Sequence, residues 1–166
     1  MKCLRIVALT LCVALYSQTS YSQNFDVNTL VSIQNSRTPF MNKAMEGISF
    51  SAYIASPTIP IGLISIGLAT NNNDATIGGL QIGAGILLST ATTIAMKELF
   101  QRPRPYDSHP DMLHPLGRES SYSFPSGHTS SAFATATSLS LQFQKWYITL
   151  PAFLWATAVG YSRMYL

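Results

Sequence analysis

Two long stretches of this chain carry almost no charge. From Gly47 to Met96 the only ionisable acid or base is Asp74, which leaves residues 48–70 and 75–96 as uncharged runs. Each is long enough to cross a hydrocarbon core of about 30 Å as a helix. Beyond Ser120, leaving tyrosines aside, the only ionisable side chains are His128, Lys145 and Arg163. Residues 128–143 and 146–161 there form a second, shorter apolar pair hinged at Gln144 and Lys145. A soluble surface needs charge along every exposed helix face, and this distribution denies it. Buried helices of a large soluble protein would be the other home for such segments, but 166 residues are too few to cover four of them. The expected fold is therefore all-α: one domain, a multi-span membrane helical bundle with four spans.

The N-terminus reads as a secretory signal over residues 1–22. Lys2 and Arg5 form a basic start, residues 6–16 an apolar run, and Ser20, Tyr21 and Ser22 a small-residue site before Gln23. The alternative is a short first anchor that stays attached, although the run is short for a span. Both cysteines, Cys3 and Cys12, lie in this segment, so a mature chain from residue 23 has no disulfide and no thiol chemistry. Losing Lys2 and Arg5 also lowers the formal net charge from +3 to +1. The basic balance thus says nothing about nucleic acid, and no recognition motif for it is present.

Asp26 is expected to cap a short helix with Val27, Leu30, Val31 and Ile33 on one face, lying on the membrane surface or the bundle. Pro39 suits the first turn of the next helix. Pro57 and Pro60 are expected as kinks in the first span, and residues 71–74 as a tight polar turn. Gly and Ala in residues 75–96 favour close helix packing in lipid. Trp146 and Tyr147 beside Lys145 suit a membrane interface. With a cleaved signal, the mature N-terminus starts outside, and four spans return Lys97, the 98–124 loop, His128 and Arg163 to one outer face.

Those residues have a shared chemistry. Lys97 and Arg163 each end an apolar helix, where a cation is costly unless it meets water, a cavity or an anion. Gly127 and His128 open another helix, whose free N–H groups and dipole make an anion site. Ser126 adds a hydroxyl, and Gly127 lets an oxyanion approach the backbone. Arg104 supplies a planar fork and Lys97 a point charge. His128 is able to donate a proton near neutral pH. Taken singly each has a bland reading: Lys97 and Arg104 as snorkelling residues, Ser126 and Gly127 as a turn and cap, His128 as a structural hydrogen-bonding residue. Taken together on one face they describe a site for a tetrahedral oxyanion.

The motifs are specific. A lysine, six residues and Arg-Pro occur as Lys97 to Arg104-Pro105; Pro-Ser-Gly-His occurs as Pro125-Ser126-Gly127-His128; and Ser162-Arg163 begins a third. From about Asn24 onward the chain resembles the type 2 phosphatidic acid phosphatase (PAP2) superfamily, which also includes bacterial acid phosphatases and vanadium haloperoxidases. The resemblance implies that Lys97, Arg104, Ser126, Gly127 and Arg163 bind phosphate and that His128 protonates the leaving alcohol. It also implies a nucleophilic histidine six positions after Arg163, forming a phosphohistidine, with an aspartate three further on and a sixth core helix. None of these occurs before Leu166, so the PAP2-like domain, residues 23–166, is expected to lack its last core helix.

The family chemistry needs no metal or other cofactor. Asp107, His109, Asp111 and His114 lie in a proline-broken loop without recognised ligand spacing, so no metal site is expected. Tyr122 and Phe124 would line the entrance or simply pack the loop. The expected partners are a lipid phosphate substrate and the bilayer, with the oligomeric state left open. The expected location is a bacterial-type inner membrane with the site facing the periplasm or exterior; the alternative is a soluble periplasmic acid phosphatase. The rival from a different class is a non-catalytic membrane remnant that binds a phosphate or lipid.

Overall fold

The two uncharged runs become two long helices. In the computed structural model, which describes residues 19–166, α1 is Thr19–Asn35, α2 Pro39–Ala69, α3 Asn73–Phe100, α4 Pro105–Ser108, α5 Gly127–Phe143 and α6 Trp146–Tyr165. No strand occurs among the described residues. The expected signal segment, residues 1–22, lies outside the described residues except for its last four positions. Those four belong to α1, so Asp26 stands inside that helix and does not cap it. The stretch before Asp26 contains neither Gly nor Pro, and nothing in it breaks the helix earlier.

Local chemistry sets the other helix ends. Thr38 caps α2, accepting from the Met41 N–H, with Pro39 in the first turn as expected. Pro57 and Pro60 both lie inside α2. The polar turn works through two asparagines: Asn71 takes a left-handed conformation (φ 52°), which asparagine tolerates. Asn72 caps α3 by accepting from the Ala75 N–H at 3.1 Å. The later helices stop at left-handed Gln101 and Gln144 (φ 44° and 48°).

The bundle is a ring of four helices. α2 packs on α3, α3 on α5, α5 on α6 and α6 back on α2, with α2 also touching α5 across the middle. Small residues line the seam: Ala52, Ala132, Ala136, Ala156 and Val159 are buried together. Between α2 and α3 the approach is close at Gly67, where a Cβ would fall 2.5 Å from the Thr76 backbone N, and at Gly79, where it would fall 2.8 Å from the Pro60 carbonyl oxygen. Such contacts let backbones approach in lipid. Hydroxyls inside the bundle bond to one another: Ser131 Oγ donates to Ser56 Oγ at 2.7 Å, and Thr135 Oγ1 to the same atom at 3.2 Å. Trp155 Nε1 donates to Ser51 Oγ at 2.9 Å.

The outside is apolar. Ile61, Leu68, Leu87, Leu88 and Leu99 are all well exposed, and only 22% of the most apolar stretch of α2 or of α3 is buried. At 31 and 28 residues, these helices run about 46 and 42 Å, more than a hydrocarbon core. Apolar surface on this scale is suited to lipid and not to water. The second pair departs from the four-span expectation: among the described residues only α2 and α3 are long and apolar enough to cross a membrane. α5 has only 17 residues and is rich in Ser and Thr, because its hydroxyls face other helices. Pro151, Trp155 and Arg163 lower the apolar content of α6.

Candidate active site

The C-terminal ends of α3 and α6, the N-terminal end of α5 and the α3–α5 connection meet at one end of the bundle. α3 and α6 both continue past the edge of their uncharged runs, so Lys97 and Arg163 lie in the last turns of these helices. Arg104 occupies the N-cap position of the short α4 without capping it through its side chain. The connection folds back on itself: the Ser123 N–H donates to the Arg102 carbonyl at 2.9 Å, and its hydroxyl to the Pro103 carbonyl at 2.9 Å. That fold delivers residues 119–122 to the cations.

Each cation holds part of this segment. Lys97 Nζ donates to the Tyr122 carbonyl and to Ser121 Oγ. Arg104 donates through Nε to the Ser121 carbonyl at 2.8 Å and through Nη2 to Ser121 Oγ at 3.3 Å. Arg163 reaches two ways, with Nη1 donating to Ser49 Oγ at 2.9 Å and Nη2 to Glu119 Oε1 at 2.9 Å. This is the only ion pair among the described residues. The snorkelling alternative for Lys97 and Arg104 thus gives way to specific bonds within one cluster. Lys97 and Arg104 meet on Ser121, Arg163 meets Glu119 two residues earlier, and Glu119, Arg163 and His128 line one cleft, so all four expected charged and titratable residues converge.

The Pro-Ser-Gly-His segment starts α5. Ser126 caps it, its Oγ accepting from the Thr129 N–H at 3.4 Å and the Thr129 hydroxyl at 3.0 Å. Its own hydroxyl proton is left available to a ligand. Gly127 is exposed, and a Cβ there would meet nothing within 4 Å, so space for an anion lies directly against its backbone. His128 is half-buried and stands edge-on to Tyr53, with ring centroids 4.4 Å apart. His128, Arg163 and Glu119 open onto a cleft of about 510 Å³ whose other wall is α2.

Several partners had no motif to announce them. Ser49, only 4% exposed, and Tyr53 come from the first span; Glu119 and Ser121 come from the connection. Glu119 does carry one signal, as the last acid in the sequence, placed between two cationic motifs. Phe124 packs edge-on to Phe100 at the end of α3, with ring centroids 5.7 Å apart, and stays exposed. Among the described residues no group of three or more His, Cys, Asp or Glu is close enough to hold a metal. Asp107, His109, Asp111 and His114 are not gathered.

Three half-buried cations, a helix N-terminus with open space before it and an adjacent imidazole meet at one end of a membrane helical bundle. The PAP2 superfamily profile matches residues 78–166, and the chain belongs to that superfamily. A solved structure described as the first transmembrane PAP2-type phosphatidylglycerolphosphate phosphatase from Bacillus subtilis has a TM-score of 0.72 and 27% identity, covering 98% of this chain and 82% of that one. The decaprenylphosphoryl-5-phosphoribose phosphatase of Mycolicibacterium smegmatis is 42% identical over 60 residues, 36% of this chain and 32% of that protein. The matched segment therefore spans about a third of that curated relative.

Proposed function

We propose that this protein is a metal-independent membrane phosphatase that hydrolyses a phosphate monoester or diphosphate on a lipid. The observation that carries this reading is the convergence of Lys97, Arg104, Arg163 and His128 at the N-terminus of α5. Arginine forks and a lysine neutralise the phosphoryl oxygens, and the N–H groups of α5 stabilise charge that develops there. His128, beside the same cluster, donates the proton that the leaving alkoxide requires. The resemblance to the family assigns the attack to a histidine six positions after Arg163, which lies beyond Leu166, through a phosphohistidine. Lys97 lies about 36 Å along α3 from its start, beyond a hydrocarbon core of about 30 Å, which puts the cluster at headgroup depth. That depth favours a lipid phosphate, and the signal reading of residues 1–22 favours a site on the outer, periplasmic face.

The names of the two comparison phosphatases describe related substrates. Each joins the terminal phosphate through a polyol, glycerol or ribose, to a phosphodiester bearing the apolar chain. We extend that substrate class to this protein. The test is phosphate release from a short-chain phosphatidylglycerol phosphate by protein purified from its host membrane in neutral detergent. Wild type turns over, whereas His128→Ala loses roughly 10²–10⁴-fold in turnover while still binding orthovanadate. Undiminished turnover in His128→Ala would remove the acid role. Orthovanadate binding without turnover in wild type would favour the non-catalytic phosphate-binding reading, and neither would sink both.

A further inference from the structure

The acid fixes where the leaving group lies. His128 protonates the departing oxygen, so the alcohol must occupy the cleft onto which His128 opens. The far wall of that cleft is one face of α2, formed by Lys43, Glu46, Gly47, Phe50 and Tyr53. Their spacing of three, four, seven and ten residues from Lys43 is that of a single helical stripe. None belongs to the three motifs that hold the reacting phosphate.

The chemistry along this stripe is graded. Tyr53 lies against His128, with Phe50 6.4 Å from it, so the end nearest the acid is aromatic and suits the C–H faces of a polyol. Glu46, next along, is exposed and is an acceptor for neighbouring hydroxyls. Lys43 ends the stripe, exposed and with no ion pair among the described residues. It stands six residues before Ser49, which holds Arg163, and ten before Tyr53, which faces His128, so it is about 9 Å along the helix axis from the first and about 15 Å from the second. A lysine side chain and a three-carbon polyol between two phosphates cover the first of these separations. An exposed ammonium on the wall of the cleft that His128 shares is a point charge a second anion of the leaving group can meet.

We propose that Lys43, with Glu46 beside it, forms a leaving-group subsite that reads a phosphodiester one polyol away from the phosphate being removed. The proposal rests on the phosphatase reading of the same site. It makes Lys43 a specificity residue: lipids with a bare monoester are bound by the motif cluster alone, and lipids with a polyol-linked diester gain a second contact.

The experiment uses two water-soluble probes. Glycerophosphoglycerophosphate carries a diester one glycerol from its terminal monoester, and glycerol 3-phosphate carries the monoester alone. Displacement of orthovanadate by each is measured on the full-length protein in neutral detergent, for wild type, Lys43→Gln and Lys43→Arg. In Lys43→Gln the first probe is expected to weaken about tenfold, the effect of one near-surface charge, and the second to stay within about twofold. Lys43→Arg restores most of the loss. Equal weakening of both probes, or of neither, overturns the subsite while leaving the phosphate site standing. Failure of wild type to bind orthovanadate or either probe removes the phosphatase reading itself.

Discussion

Ser49→Ala would test how the site holds its third arginine. Ser49 Oγ accepts from Arg163 Nη1 at 2.9 Å, and this anchors one arm of the guanidinium while the other, Nη2, faces Glu119 and the cleft. A hydrogen bond from a charged donor is worth about 1.5–3 kcal/mol net. Ser49 is 4% exposed and the Arg163 side chain 17%, so water replaces the lost acceptor poorly. The ligand-facing arm is not removed, however, and the loss acts only through orientation; the lower end of the range applies. About 1.5 kcal/mol corresponds to roughly tenfold weaker anion binding. Calorimetric titration of orthovanadate into the full-length protein in neutral detergent measures this, with thermal unfolding as the control for fold. An affinity within about twofold of wild type, in a normally folded variant, would refute the anchoring argument and leave Glu119 as the group that orients Arg163.

Two further substitutions separate site from scaffold. Gly127→Ala should leave thermal unfolding unchanged or slightly raised, because the added methyl meets open space and alanine favours the helix; orthovanadate affinity should still fall at least tenfold, since the methyl occupies the anion's approach. Gly79→Ala should do the reverse: its Cβ would lie 2.8 Å from the Pro60 carbonyl oxygen and 2.9 Å from Ile64 N, costing about 1–3 kcal/mol of stability, read as a lower unfolding temperature in detergent with binding unchanged once folded.

Much of the site is legible in the sequence because its chemistry is costly where it stands. A cation at the end of an apolar helix needs a reason, and Lys97 and Arg163 stand out on that ground from residue order alone. The helix boundaries are less legible. Hydropathy marks where lipid ends, whereas backbone hydrogen bonds carry a helix on into the headgroups: α2 starts nine residues before its uncharged run, and α6 continues four residues past its apolar stretch. α5 resembles a span in its lack of charge, but its hydroxyls answer to Ser56 and not to lipid. Ser49 and Tyr53 leave no trace because a single buried hydroxyl or ring in a long apolar run has no periodicity of its own. Ser121 is hidden for another reason: much of what it offers the cations is a carbonyl oxygen, which every residue has.

The segment 119–122 is the counterweight to the three cations. Three half-buried cations at a membrane edge would repel one another and suffer poor solvation if left alone. Instead the Glu119 carboxylate, two peptide carbonyls and one hydroxyl satisfy them. The connection between the first two motifs is thus tied to the same cations that the motifs supply, so its position and theirs are set together.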